Sequence, residues 1–600
     1  MKLSDYVADF VARLGVNHVF MVPGGGSMHL VDSFGKNQKL EYVATIHEQG
    51  GALAAEAYAE YRNHFGFMMV TSGPGGTNAV TGVATAWVEG SGTFFLSGQA
   101  KRADMIGTRG VRSMGHQEID VVSVVKPITK YAVSVLDPNS IRYHLEKAAY
   151  LALNGRPGPV WVEIPLDIQI AQIDPEKLVG FEPDNSEQSA ASSIRTAVAK
   201  TISYILASER PVLLVGNGVR SARAVDIFQK VLEKVRIPVL LTWKAIDILP
   251  DGHPLYRGRP GGIGQRGANF TQQNSDCIIV IGARLDLPSL AFDHQGFARA
   301  ARKIMVDVDP MEIRKMQMKI DLPICSDAGV FLKELLQQAD ALANYYPAAW
   351  LQRTEDYKIK YPVVLPEYHN TKSGFVSSYV FNDILSEEAL ATDVITTGGA
   401  GACSDILMQT WKVKAGQRIY NVPGIGCMGS GVPAALGGCL ASSGNRTICV
   451  DGDGGFPMNV QELEVIRRMN LPVKFFVLNN DGYGSIRSMQ KNHFAGHLVA
   501  ADSKSNFTLP NVRRVAEAFC IKSDFLDDTS KIRETIRRVL ETDGPIICEV
   551  MVSPEEAIAP RVSTVMNAAG MLTSKPMEDM SPLLPRDEFL QNMAIPSLED

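Results

Sequence analysis

The sequence predicts an α/β protein built from three doubly wound parallel-sheet domains and a C-terminal tail. Three observations lead there. At 600 residues the chain is too long for one core, and about 100–200 residues per domain gives three or four units. Short apolar runs alternate with amphipathic helical runs, the pattern of parallel strands joined by crossover helices. Pro-, Ser- and charge-rich text interrupts that alternation near 172–192 and again near 343–375. Domains are therefore expected over 1–172, 193–342 and 376–552, and 553–600 form a Pro- and Met-rich tail without strong period, packed over another domain or partly loose.

In the first domain Val7, Phe10, Val11 and Leu14 recur at helical spacing, with Ser4 as the cap and Gly15 as the stop. Val19–Val22 reads as a buried strand that ends in Pro23-Gly24-Gly25-Gly26. Phe67–Thr71 and Thr93–Leu96 read as strands on either side of a helix over Asn78–Trp87. The second domain opens at Arg210-Pro-Val-Leu-Leu-Val-Gly216-Asn-Gly218 and closes after Val306-Asp307-Val308-Asp309-Pro310. In the third, Arg446–Val450 reads as a strand, Gln461–Met469 as a helix and Val473–Leu478 as the next strand.

Composition removes several classes of function. Apolar residues at 45% and charged residues at 21% are ordinary for a globular protein and exclude a disordered or fibrous chain. A net charge of −6 with no basic stripe argues against a nucleic-acid binder. No apolar run approaches the roughly 20 residues that span a bilayer, so no membrane partner is expected. Asp5 and Asp9 break any apolar signal core near the first residue. The 8 cysteines are scattered, with no Cys-x-x-Cys pair, which argues against a zinc site or a disulfide framework and for a reducing cytoplasm.

The sharpest motif lies in the third domain. The strand over 446–450 runs into Asp451-Gly452-Asp453-Gly454-Gly455, and the strand over 473–478 runs into Asn479-Asn480-Asp481-Gly482. One right-handed strand–helix–strand crossover sets the two loops side by side at the carboxyl ends of neighbouring strands, where open α/β sheets bind ligands. Asp453 and the Asn480 side-chain carbonyl are hard oxygen ligands. With a backbone carbonyl at Gly482 they suit Mg²⁺, and the glycines let the backbone approach a diphosphate. A lone Gly-Asp-Gly is an ordinary turn more often than a site; the pair at this spacing is a site.

With these residues the chain resembles the thiamine diphosphate-dependent enzymes, whose cofactor motif begins Gly-Asp-Gly and ends Asn-Asn at about this separation. The resemblance covers about 1–555. It supplies a second landmark in Thr45-Ile46-His47-Glu48-Gln49-Gly50. In the family this glutamate bonds the aminopyrimidine ring nitrogen and promotes the tautomer that deprotonates the thiazolium carbon. Thr71-Ser72-Gly73-Pro74-Gly75-Gly76-Thr77-Asn78 resembles the pyrimidine-pocket loop, and Met428 stands where the family places the apolar wedge that bends the cofactor. The set implied for thiamine diphosphate is Gly25, Thr71, Pro74, Asn78, Gly398, Gly426, Met428, Gly452, Asp453, Gly454, Gly455, Asn480, Gly482, Tyr483 and Gly484. Because Glu48 and Asp453 lie on different domains, the family's sites form between subunits, which implies a homodimer or homotetramer.

Within that family the chain is most similar to acetolactate (acetohydroxyacid) synthase catalytic subunits, on Gly155-Arg-Pro-Gly-Pro159, His116-Gln117-Glu118, Gly282-Ala283-Arg284 and Val432-Pro433-Ala434-Ala435. The resemblance implies decarboxylation of pyruvate and transfer of the two-carbon unit to a second keto acceptor, giving 2-acetolactate when that acceptor is pyruvate. Gln117 matches an active-site glutamine. His116 replaces a Phe, as a proton donor or as a packing residue. The central domain resembles the FAD domain of that branch, which implies contacts from Gly216, Gly218, Thr242, Lys244, Gly261, Gly264, Gly282, Arg284, Asp286, Asp307, Asp309 and Asp327; the N–H groups of Gly216 and Gly218 are expected to reach a diphosphate. Several positions depart from the synthase pattern around the acceptor and cofactors: Met489 for a Trp, Leu166 for a Lys, Pro288 for a second flavin-side Arg, and Gly401-Ala402 for Gln-His. Fewer positive charges favour carboxylate acceptors less. The alternatives are acetyl transfer to a nucleotide-linked keto sugar and simple 2-oxo acid decarboxylation.

Overall fold

Three parallel sheets follow one another along the chain in the computed structural model, which describes residues 1–183, 191–566 and 572–598. Residues 184–190 of the first expected linker, and 567–571 and 599–600 of the tail, lie outside the described residues. The first sheet holds β1 (His18–Met21), β2 (Glu41–Ala44), β3 (Gly66–Val70), β4 (Thr93–Gln99), β5 (Tyr131–Ser134) and β6 (Val160–Pro165) in the order 2-1-3-4-6-5. The second holds β7 (Pro211–Val215), β8 (Val239–Leu241), β9 (Cys277–Ile281), β10 (Arg302–Asp307) and β11 (Leu322–Cys325) in the order 11-10-9-7-8. The third holds β12 (Val394–Thr397), β13 (Arg418–Tyr420), β14 (Thr447–Gly452), β15 (Val473–Asn479), β16 (Lys522–Leu526) and β17 (Ile546–Met551) in the order 13-12-14-15-17-16. This is the predicted fold class. The third sheet repeats the order of the first, strand for strand.

Alternation explains why both faces of these sheets are covered. In β3, Phe67 and Met69 join one core while Met68 and Val70 join another on the opposite face. The core holding Met68 and Val70 also takes in Val432, Ala435 and Leu436 of the helix Gly431–Ala441, so the first and third sheets share one apolar interior. Helix Glu48–Arg62 meets that helix at very short range: a Cβ on Gly437 would stand 2.1 Å from the Ala54 carbonyl oxygen. Gly437→Val will therefore force the two helices apart. Overpacking of this kind costs about 1–3 kcal/mol, read as a lower urea midpoint; an unchanged midpoint would show that the contact yields without cost.

A second junction brings all three sheets' domains together through buried charges. Lys244 bonds Glu60 and the Asn421 carbonyl and lies 3.4 Å from Glu89. Asp247 takes Arg220 at 2.6 Å and Arg418 at 2.9 Å, with the Ile419 N–H at 3.0 Å. Burial drives the Asp247 carboxyl up, but the two guanidinium groups outweigh it and hold it below the usual range.

Local expectations are adjusted in three places. Helix Leu3–Arg13 is capped at Lys2, so Ser4 lies inside the first turn and its hydroxyl takes the Ser33 hydroxyl at 2.9 Å; Gly15 follows the helix end with φ +76°. The helix expected from Asn78 begins at Pro74, where a fixed φ suits the first helical position. The helix expected over Gln461–Met469 divides into a 3₁₀ segment, Phe456–Glu462, and a short α-helix, Leu463–Arg468. Pro457 lacks an N–H, and the Asn459 side chain is drawn to the Gly429 carbonyl at 2.8 Å, which breaks the regular α-pattern. The described tail crosses the central domain: Asn269 donates to the Met577 carbonyl at 2.8 Å, Arg266 to the Met580 carbonyl at 3.2 Å, and Phe589 is buried beside Phe270. Among the described residues no helix is long and apolar enough to cross a membrane.

Candidate active site

Strand order reverses between β1 and β3, between β7 and β9, and between β12 and β14. Loops at the carboxyl ends of such strand pairs form the binding crevices of doubly wound sheets. Nearly every glycine-rich run singled out in the sequence falls at one of these three places.

In the first sheet the crevice lies between Pro23–Gly26 after β1 and Thr71–Gly75 after β3. Close approach of the two loops requires glycine: a Cβ on Gly24 would meet the Thr71 side chain at 2.5 Å. The Gly26 N–H donates to Thr71 Oγ1 at 3.1 Å, while Gly25 faces open space. Glu48 is the first residue of helix Glu48–Arg62 and is 8% exposed. Its Oε2 accepts from Asn78 Nδ2 at 2.9 Å, and its Oε1 lies 3.6 Å from the place of a Cβ on Gly75. Because the second helix begins at Pro74, Asn78 sits just past its first turn and faces this carboxylate.

In the third sheet the loops through Asp453 and Asn480 leave β14 and β15 at their carboxyl ends. Gly452 pairs with Leu478 across β14 and β15, so Asp453 and Asn480 leave neighbouring strands side by side. Asp453 is 6% exposed; burial pushes its carboxyl up to about 7, against the N–H groups of Gly482 (2.8 Å) and Gly454. Asn480 Oδ1 is buried and has no hydrogen-bond partner. Gly482, at φ +119°, turns the loop back, and the Tyr483 N–H bonds the Ala501 carbonyl at 2.8 Å with its ring stacked on Phe507. A side chain on Gly484 would strike Asn480. Beneath the loop Asp451 is 2% exposed, raised to about 7 by burial, and packed where Gly398, Gly431 and Gly455 lack a Cβ. Gly399 lets the Cys427 carbonyl in close, which seats Gly426 (φ +60°) and Met428 beside Gly454.

This donor set fits Mg²⁺. It offers hard oxygens from a carboxylate and an amide, one of them without a partner, and the carboxylate is one that burial pushes up. Among the described residues no cluster of three or more His, Cys, Asp or Glu could hold a metal alone.

Three buried residues near these crevices are explained by their tertiary partners. Buried Arg487 donates to the Asn480 carbonyl at 2.8 Å and the Asp481 carbonyl at 3.2 Å, which ties down this loop and leaves the Asn480 side chain free. Glu462, fully buried, takes the N–H groups of Ile46 and His47 at 3.1 and 2.9 Å and so braces the residues just before Glu48 from the third domain. Glu118 is buried beside exposed His116 and Gln117. Each partner is remote in sequence or pairs through backbone, so spacing alone does not reveal it. Among the described residues no hydrogen bond or ion pair within the chain joins the Glu48 carboxylate to Asp453 or Asn480.

At the β7/β9 reversal lies a cavity of about 560 Å³, lined among others by Gly218, Thr242, Lys244, Gly261, Gly282, Arg284, Asp286, Asp307 and Asp327, and reaching Gly399–Gly401 and Gly426 of the third domain. Tail residues Val562, Thr564 and Ser574 form part of its wall. Gly216, Gly264 and Asp309 lie outside the lining. The N–H groups of Gly216 and Gly218 donate to the Ile281 and Gly282 carbonyls at 2.9 Å each, so the expectation that they reach a diphosphate does not hold. Their role is close approach, since a Cβ on Gly218 would meet Gly282 at 2.6 Å. Lys244 is committed to Glu60 and Glu89, and Arg284 to the Val88 carbonyl and Asp286. Asp309 caps helix Pro310–Arg314 and Asp327 caps helix Ala328–Gln338. Asp307 and Asp327 each use only Oδ1 in these bonds, which leaves Oδ2 to meet a hydroxyl such as a ribose carries. Position and these free acceptors fit FAD.

Three family models match in chain order: the thiamine pyrophosphate enzyme N-terminal TPP binding domain over 1–124, the central domain over 198–335 and the C-terminal TPP binding domain over 399–550. The two outer sheets, with Glu48 on one and the Asp453–Asn480 pair on the other, are thus those of a thiamine diphosphate enzyme. The chain is 30% identical to the acetolactate synthase large subunit of Cyanidium caldarium, over 94% of this chain and 95% of that one. It is 29% identical to that of Lactococcus lactis (95% and 96%) and 31% identical to the chloroplastic acetolactate synthase 1 of Zea mays (94% and 87%). The chain belongs to the acetolactate synthase family of thiamine diphosphate-dependent enzymes, catalysts of carbon–carbon bond formation.

Proposed function

We propose that this enzyme is a Mg²⁺-dependent decarboxylating carboligase that takes pyruvate as donor and passes its two-carbon unit to a second keto acceptor. With pyruvate as acceptor, two pyruvates give one 2-acetolactate and one CO₂. The observation that carries the reading is the buried Glu48 carboxylate, which accepts from Asn78 and keeps its other oxygen clear of the chain's own donors.

Bound thiamine diphosphate supplies the electron sink for decarboxylation. Asp453, Asn480 and the Gly482 turn would hold the metal and diphosphate, and Met428 would back the ring system. Glu48 would take and return a proton at Oε1, the oxygen that the chain's own donors leave clear. Gln117, exposed beside the pyrimidine loop, is assigned to the keto oxygen of a substrate, with His116 next to it. The central cavity is assigned to FAD. Two copies of the chain bring Glu48 of one to Asp453 of the other, in a homodimer or homotetramer; the exposed apolar side chains of Met28, Ile46, Met458 and Met489 support this. A cytoplasmic location suits the free cysteines.

One observation favours a second acceptor. The loop that carries Gln117 also carries exposed Lys101, Arg109 and Arg112, besides Arg102, which Asp167 holds, against exposed Asp104 and buried Glu118. Lys101, Arg109 and Arg112 keep positive charge on this loop, in a form that suits phosphate. This supports a nucleotide-linked keto sugar as the acceptor. The test supplies pyruvate, Mg²⁺, thiamine diphosphate and FAD and follows pyruvate and acetolactate together. Rapid loss with one acetolactate per two pyruvates supports the synthase reaction; slow loss that a nucleotide-linked ketone restores moves the reading to the second acceptor. Bound FAD will appear as visible flavin absorbance, and its failure to bind would remove the flavin assignment.

A further inference from the structure

We propose that Glu118 is a positioning residue: its buried carboxylate gathers the two limbs of the loop 100–119 and so fixes Gln117 beside the pyrimidine pocket. The proposal rests on the reading of Gln117 as a substrate contact.

This loop has little regular structure of its own, a single 3₁₀ turn over Arg102–Asp104. Its backbone donors therefore need partners from elsewhere. Glu118 provides them. Only 4% exposed, it accepts from the Ile106 N–H on the outgoing limb and from the Met114 (2.8 Å) and Gly115 (3.2 Å) N–H groups on the returning limb. Among the described residues no cation pairs with it, so its charge is met by amides alone, in hydrogen bonds of the charge-assisted kind.

The consequence falls on the preceding residue. Gln117 has φ +57°, a left-handed conformation that a non-glycine residue adopts only under constraint. With this turn Glu118 is buried while Gln117 is exposed. The Gln117 carbonyl then lies against Gly73, where a Cβ would come within 2.2 Å of it. Gly73 immediately precedes the helix that presents Asn78 to Glu48. The loop's ends are pinned as well: Gln99 donates to the Ile119 carbonyl at 2.9 Å, and Asp167 takes both the Arg102 N–H at 3.0 Å and its Nε at 2.7 Å. Glu118 closes this frame from inside.

Glu118→Gln keeps the volume but turns a donor group toward backbone donors. In the full-length enzyme it will speed tryptic cleavage after Arg109 and Arg112 at least about tenfold, because loosened loops are cut faster. It will lower kcat/KM for the keto substrate about 10–100-fold, the scale of an ångström-level misplacement, while thiamine diphosphate affinity stays within about twofold. Gln117→Ala will lower kcat/KM without changing the tryptic rate, which separates the contact from its support. Glu118→Asp, which keeps the charge on a shorter arm, will give smaller effects in the same direction, and it carries the test if Glu118→Gln does not fold. Wild-type tryptic rate and wild-type kcat/KM in these variants would overturn the proposal. Absence of thiamine diphosphate-dependent turnover in the unaltered enzyme would instead overturn the reaction assigned above; faster cleavage in Glu118→Gln would still support the loop being held by Glu118.

Discussion

Glu48→Gln will reduce turnover about 10²–10⁴-fold, the usual worth of a positioned proton-transfer group, and will leave thiamine diphosphate affinity within a few-fold of the parent. The substitution is nearly isosteric. Gln keeps a carbonyl oxygen for the Asn78 donor at the start of helix Glu48–Arg62, so the helix end and the Thr71–Gly75 loop keep their packing. What it lacks is an acidic oxygen that can take and return a proton. Cofactor affinity is assigned to the far end of the site, at Asp453 and Asn480, so it survives. Turnover with saturating cofactor, set beside a fluorescence titration for affinity, separates the two. A Glu48→Gln enzyme within tenfold of the parent would show that another group moves the proton. Joint loss of turnover and affinity would give Glu48 a structural place instead.

The parts of this architecture that were legible in the sequence are those encoded locally. Strand runs such as Phe67–Val70 bury every side chain in a parallel sheet, and glycine loops follow them because loops that converge at a strand reversal leave no room for a Cβ. The Asp453–Asn480 pair was legible because one crossover fixes the distance between two adjacent strand ends. Pairing between remote segments was not. Nothing near Glu462 announces that its carboxylate will take the Ile46 and His47 N–H groups, and nothing near Arg487 points to the Asn480 carbonyl. Gly216 and Gly218 show the limit of motif reading. Their type is explained by the approach of Gly282, a tertiary contact, and their N–H groups are taken by the carbonyls of Ile281 and Gly282 respectively. Asp309 and Asp327 carry a similar lesson: an acidic residue before a helix is a cap first, and its second oxygen alone is available to a ligand.

Asp453→Ala will abolish Mg²⁺-dependent binding of thiamine diphosphate at concentrations that saturate the parent, a loss beyond the roughly 10–100-fold that removing a supporting group costs. Asn480→Ala will weaken binding by about 10–100-fold on the same scale. The order follows from charge. Asp453 brings an anionic oxygen that offsets part of a divalent charge in a site 6% exposed, whereas Asn480 brings a neutral dipole. Arg487→Met tests the remaining link. Arg487 holds the backbone carbonyls of Asn480 and Asp481, so the loop loses its anchor while the Asp453 and Asn480 side chains stay. Its effect will therefore resemble Asn480→Ala in size and will show as a raised Mg²⁺ requirement. Thiamine diphosphate titrations at several Mg²⁺ concentrations measure all three. A parent-like Mg²⁺ dependence in Asp453→Ala would place the metal elsewhere, and a parent-like Arg487→Met would mean that the turn at Gly482, with its N–H on Asp453 Oδ2, is enough to hold the loop.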